Sequence, residues 1–146
     1  MTNETIIFPI NNSVKSMHIA NDHTKLFISL DSGIIIYANA YGDCCSYSWI
    51  EHISGVKQIL GSPITDAIPV ELPELDWLIY KPSIYIGDDH YEEHIQLYGT
   101  KLIGPKGAMF IEYRNSSNGY YGGSLDWYVF DEKIIPSETR ILVDDF

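Results

Sequence analysis

Cys44 and Cys45 are the only two cysteines of a 146-residue chain, and they are adjacent, in Gly42-Asp43-Cys44-Cys45-Ser46. Four roles are open to such a pair: a metal site, a redox switch, a reactive thiol, or packing. Neighbours on a strand point to opposite faces, which suits one shared metal ion poorly. Tetrahedral sites space their ligands by two to four residues, and no second Cys/His pair completes a set here. A vicinal disulfide would be strained. A nucleophilic thiol needs a base beside it, and His52 is the nearest imidazole in the sequence. Free cysteine is among the most buried residue types, so packing is the expected role of both.

His90 and His94 stand four apart, with Glu92 and Glu93 between them. On a helix they would share a face and could chelate zinc. Gly87-Asp88-Asp89 before them and the alternation after Tyr91 favour a turn that enters a strand, where the two rings lie too far apart. A solvated, charged hairpin end is therefore expected. A third candidate is Asn115-Ser116-Ser117-Asn118-Gly119-Tyr120-Tyr121-Gly122-Gly123. It reads as a polar, glycine-rich loop whose backbone can approach a ligand closely. Asn118, Gly119, Tyr120 and Tyr121 supply hydrogen bonds and flat contact area, a mixture typical of binding surfaces. The lysine and following helix of a phosphate loop are missing.

Charge supplies the fourth candidate. Twenty acidic residues oppose nine basic ones, for a net charge of −11. An acidic surface repels phosphate backbones and acidic membranes, so no direct nucleic-acid or membrane binding is expected. Asp66, Glu71, Glu74, Asp76, Asp88, Asp89, Glu92 and Glu93 interleave with Trp77, Tyr80, Tyr85 and Tyr91. Charge that steers and rings that anchor suit a protein partner with a basic face. Of these, Trp77, Tyr85, Asp88, Asp89, Glu92 and Glu93 are the expected contact residues. No cofactor and no metal are expected, nor any catalytic set.

The elements that must position these residues are mostly strands. Length and an ordinary apolar fraction of 45% suit one domain with a real core. Residues 13–20, 24–30 and 34–40 alternate as strands around Asn21-Asp22-His23 and Asp31-Ser32-Gly33, an antiparallel meander. Residues 48–53 read as a strand or a helix start, and 56–60 as one or two helical turns. Residues 64–72, broken by Pro69, belong at an edge or outside the sheet. Tyr91 to Ile103 reads as a long strand, and Gly104-Pro105-Lys106-Gly107 as the turn into a returning strand over 108–114. Residues 125–130 form a last clear strand, and 134–146 a short strand or an acidic tail. The fold class is thus α+β or mostly β, in one domain of residues 1–146. Its core is about 13–131, with 73–90 an elaboration and 132–146 a C-terminal extension. Core positions are Val14, Met17, Ile19, Leu26, Ile28, Ile34, Ile36, Trp49, Ile53, Leu97, Met109, Ile111, Trp127 and Val129. The first residues have neither a basic region nor an apolar run, so no signal peptide is expected and a cytoplasmic location is.

Asp43-Cys44-Cys45-Ser46, Leu60-Gly61-Ser62-Pro63-Ile64 and Asn115-Ser116-Ser117-Asn118-Gly119-Tyr120-Tyr121 occur in that order. Together they resemble a small domain family of unknown function from bacteriophage and prophage genomes, over roughly residues 13 to 131. The resemblance implies a phage-associated α+β or mostly β fold and no activity. The chain departs from it by the longer 73–90 segment, the extended C-terminus, and Ser46 where an acid is usual. Joined to the charge, it makes the expected function that of an acidic phage-type interaction protein. Such a protein would bind and inhibit a host protein with a basic surface, as an anti-defence, anti-CRISPR-like inhibitor does. The alternative is a domain that binds a nucleotide or metabolite between the Cys44-Cys45 turn and the Asn118-Gly119-Tyr120 loop. A Cys/His enzyme is the third reading. Oligomeric state is open.

Overall fold

The apolar residues that repeat at every second position of the first three strands build one wall of the core. The computed structural model describes residues 5–43, 46–72, 94–117 and 122–146. β1 (Ile10–Ala20), β2 (Lys25–Leu30) and β3 (Ile35–Gly42) form the expected antiparallel meander. It is flanked by β9 (Gly123–Val129) on β3 and β10 (Thr139–Leu142) on β1, in the order β10-β1-β2-β3-β9. The short β5 (Pro63–Ile64) pairs with the start of β1. A second antiparallel sheet runs β4-β8-β7-β6, from β4 (Tyr47–Ser54), β8 (Gly107–Ser117), β7 (His94–Gly104) and β6 (Asp66–Glu71). The fold is mostly β, with one short helix among the described residues, α1 (Val56–Ile59).

The two sheets face each other over a shared core. Val14, Met17, Ile19, Leu26, Ile28 and Ile36 come from the first sheet; Ile50, Ile53, Leu102, Met109 and Ile111 come from the second. Burying side chains of this size stabilises by about 1.5–3 kcal/mol each. Val56 and Ile59 of α1 join them. Gly55 starts that helix at φ 80, and a Cβ there would stand 2.4 Å from the Ala108 carbonyl oxygen, so only glycine fits. Trp49 and Leu97 belong instead to a smaller cluster with Ile95, on the other face of the second sheet.

Several expectations need correction. Asn115, Ser116 and Ser117 are not loop: they continue β8 and are buried. All three pair with β7, and Asn115 and Ser116 also pair with β4, which outweighs their turn propensity. Ile34 is not core: it is 49% exposed, at the mouth of the β2–β3 hairpin, where its carbonyl accepts the Leu30 N–H. Val129 is likewise half-buried. Residues 48–53 are strand, the first of the two readings the sequence left open. β6 is an edge strand that tolerates Pro69, as expected. The C-terminal residues are integral to the fold. β10 pairs with β1, and Phe146 exchanges two backbone hydrogen bonds with Ile53 of β4, at 3.0 and 3.1 Å.

Candidate functional site

The chain crosses between the two sheets at 43–46 and returns at 118–122, and the flanks of these crossings meet. Gly42 pairs with Gly123, and Tyr47 with Ser116. The Asp43 N–H donates to the Gly122 carbonyl at 3.2 Å. His94 pairs with Ser117, so the chain re-enters β7 at the same end. Beneath lies a polar floor of Ser48, Asn115, Ser116 and Ser117, all buried. The Ser48 hydroxyl donates to Asn115 Oδ1 at 2.8 Å. A Cβ on Gly123 would lie 2.6 Å from Ser48 Oγ, so glycine lets the strands close over this floor. Tyr98 Oη accepts the Gly123 N–H at 3.2 Å and donates to Gln96 Oε1 at 2.7 Å. Its ring stacks on Tyr113 at 5.1 Å. Burial first, then Tyr98 and Asp126, push the Tyr113 hydroxyl up to about 12, so it stays protonated.

One strand pair deeper, the outer face of the second sheet carries a buried charge network. Arg114 lies between two carboxylates, with Nε 2.8 Å from Glu112 Oε2 and Nη1 3.7 Å from Glu51 Oε1. The Trp49 indole N–H donates to Glu51 Oε2 at 2.7 Å. This sharing of one guanidinium between two acids, with an indole donor, lets Glu51 stay almost fully buried. His52, the proposed base for a cysteine, is exposed on β4. It is five positions beyond Tyr47, roughly 15 Å along a strand. Among the described residues no three His, Cys, Asp or Glu side chains gather as metal ligands would.

The first sheet carries a different surface on its outer face. There a single cross-strand row reads Ile141, His18, Phe27, Tyr37, Tyr128 from β10 to β9. Phe27 and Tyr37 stand 5.7 Å apart, Tyr37 and Tyr128 5.4 Å. Phe130 closes on Phe27 at 5.3 Å and on Tyr37 at 5.8 Å, both edge to face. Cross-strand aromatic pairs of this kind stabilise a sheet by about 0.2–1 kcal/mol each. Burial lowers the His18 imidazole and raises the Tyr128 hydroxyl. β9 and β10 are opposite edges, so residues 130–138 must cross four strand gaps, roughly 19 Å. They do so as a strap over this face. Between strap and sheet lies a groove of about 540 Å³, floored by Phe27, Tyr37 and Phe130. Asp22, Thr24 and Lys25 close one end, and Pro136 and Glu138 line the strap side.

A domain of unknown function, DUF7448, matches residues 5–127, from before β1 to the middle of β9. The chain belongs to the DUF7448 family. The match takes in both crossings and most of the aromatic row. It ends before Phe130, Pro136 and Glu138, so the strap lies beyond it. No curated protein and no solved structure matches the chain.

In this DUF7448 domain the sequence-predicted contact residues Trp77, Tyr85, Asp88, Asp89, Glu92, Glu93, Asn118, Gly119, Tyr120 and Tyr121 lie outside the described residues, as do Cys44, Cys45 and His90. The crossings nevertheless bring the flanks of the cysteine pair and of the tyrosine block together. Sequence reasoning missed the aromatic row and the strap groove. The available signal was Leu26-Phe27-Ile28, an unbroken apolar run that marks a strand covered on both faces. Among the described residues no helix is long and apolar enough to cross a membrane.

Proposed function

We propose that this domain is a non-catalytic recognition module: a phage-type protein that binds, and thereby inhibits, a host protein with a basic surface. The observation that carries the reading is the aromatic row of the first sheet in a chain of net charge −11. Rings fixed by their neighbours give contact area at low entropic cost, and the negative field speeds encounter with a basic partner. The acids of 73–93 add to that field, since this segment alone holds six acids and one lysine. The test is to isolate partners from the native host and follow the complex as salt is raised from about 50 to 500 mM, across which screening shortens several-fold. The complex should weaken steeply, and charge reversal of Glu92 and Glu93 should slow association. Binding that ignores both salt and charge reversal would sink the electrostatic account.

A second reading is supported by the meeting of the flanks of the two crossings beside the buried Ser48, Asn115, Ser116 and Ser117. It is a small polar ligand, a nucleotide or metabolite, held at that end. Bound ligand raises the melting temperature by mass action. A ligand panel that leaves the melt unmoved would remove this reading.

A further inference from the structure

We infer that the groove between strap and first sheet receives a lysine or arginine side chain of the basic partner protein. The inference rests on the recognition reading above and gives it a site. Three rings floor the groove, each within 6 Å of the other two by centroid: Phe27 to Tyr37 at 5.7 Å, Phe27 to Phe130 at 5.3 Å and Tyr37 to Phe130 at 5.8 Å. Aromatic faces carry a negative quadrupole that attracts an ammonium or guanidinium. The same lining holds two carboxylates, Asp22 and Glu138, against one ammonium, Lys25. Asp22 is fixed at the groove's end by accepting the Thr24 N–H at 3.0 Å and the Thr24 hydroxyl at 2.7 Å, both on Oδ1. Glu138 is fixed through its backbone, whose carbonyl accepts the Asn21 N–H at 3.0 Å. The strap itself adds Asp131 and Glu132 against Lys133.

These features select among occupants. An anion would meet the carboxylates of the lining and the net charge of the whole chain. A nucleobase would bring its phosphates into the same field. A wholly apolar segment would strip water from Asp22, Glu138 and Lys25 without pairing them. A long cationic side chain satisfies both halves of the site: its methylenes lie on the rings and its head reaches the carboxylates.

The test is calorimetric titration with a lysine-rich decapeptide and, separately, with spermidine. The proteins are the wild type, Tyr37→Leu, Phe130→Leu and Glu138→Gln. Asp31→Asn, an exposed acid at the β2–β3 turn and outside the groove lining, is the control. The leucine variants keep apolar bulk and remove the quadrupole. Glu138→Gln keeps the backbone bond to Asn21, and thermal melts verify that each variant is folded. The peptide should bind the wild type and Asp31→Asn alike, and bind each groove variant about threefold to tenfold more weakly, the range of one exposed cation–π contact or one partly screened charge. If the peptide binds all five proteins equally, the groove is not the site, and the recognition reading stands without it. If it binds none, both fall. If spermidine binds as tightly with the same sensitivity to the groove variants, the site is one for small cations and the assignment to a protein side chain is overturned.

Discussion

His23 takes a positive φ of 61 at the turn between β1 and β2, is buried, and places its ring edge to face on Phe146 at 5.3 Å. Its Nδ1 is 2.9 Å from the Ile50 carbonyl. Burial lowers its pKa below 6.5, against the opposing pull of that hydrogen bond. The unfolded chain therefore takes up the proton first on acidification. The contribution to stability is full above about pH 6.5 and declines as pH falls from there to the folded value. His18, also lowered by burial, acts in the same direction. We expect His23→Asn, which tolerates the same φ, to be less stable at pH 7.5 and to lose less stability between pH 7.5 and 5 than the wild type. Denaturant midpoints across that range check it; equal slopes would contradict it. Arg114→Met should destabilise by about 3 kcal/mol, because it leaves Glu51 buried without its guanidinium. A midpoint shift worth under about 1 kcal/mol would mean that the remaining donors hold Glu51 unaided.

At the scale of elements, the C-terminal tail ties the two sheets together. It leaves β10 on the first sheet and ends on β4 of the second, through Phe146 and Ile53. On the way Asp145 Oδ1 accepts the Val56 N–H at 3.0 Å, capping α1. The N–H groups of Val56 and Gly55 hold that carboxylate below its usual 3.8, so its contribution persists above that pH and fades as pH falls further. Deletion of residues 143–146 should therefore cost about 2 kcal/mol or more, from two ladder bonds and a cap. The melting temperature should drop by roughly 5 °C or more; an unchanged melt would show the tail to be ornamental. The meander, the 104–107 hairpin and the edge position of β6 were legible from alternation, turn residues and Pro69. The strap was not, because 130–138 has no periodicity to mark which face it crosses. The polar end of β8 was misread as loop, since Asn115, Ser116 and Ser117 carry turn propensities that two flanking strands override.

At the scale of the whole molecule, two sheets present two unlike outer faces. One is a buried ionic network around Arg114; the other is an aromatic row under a strap. The sequence disclosed the acidic charge and the wealth of tyrosine but not which tyrosines stand together, because Tyr37 and Tyr128 are ninety-one positions apart and meet only through strand register. The central claim is that recognition of a cationic protein surface occurs on the aromatic row. The most direct measurement is an amide NMR titration of the isotopically labelled protein with the lysine-rich decapeptide. Shifts concentrated at residues 21–27, 37, 128–130 and 136–139 are predicted. Shifts confined to 42–48 and 115–123, at the sheet crossings, or no saturable shifts at all, would contradict it.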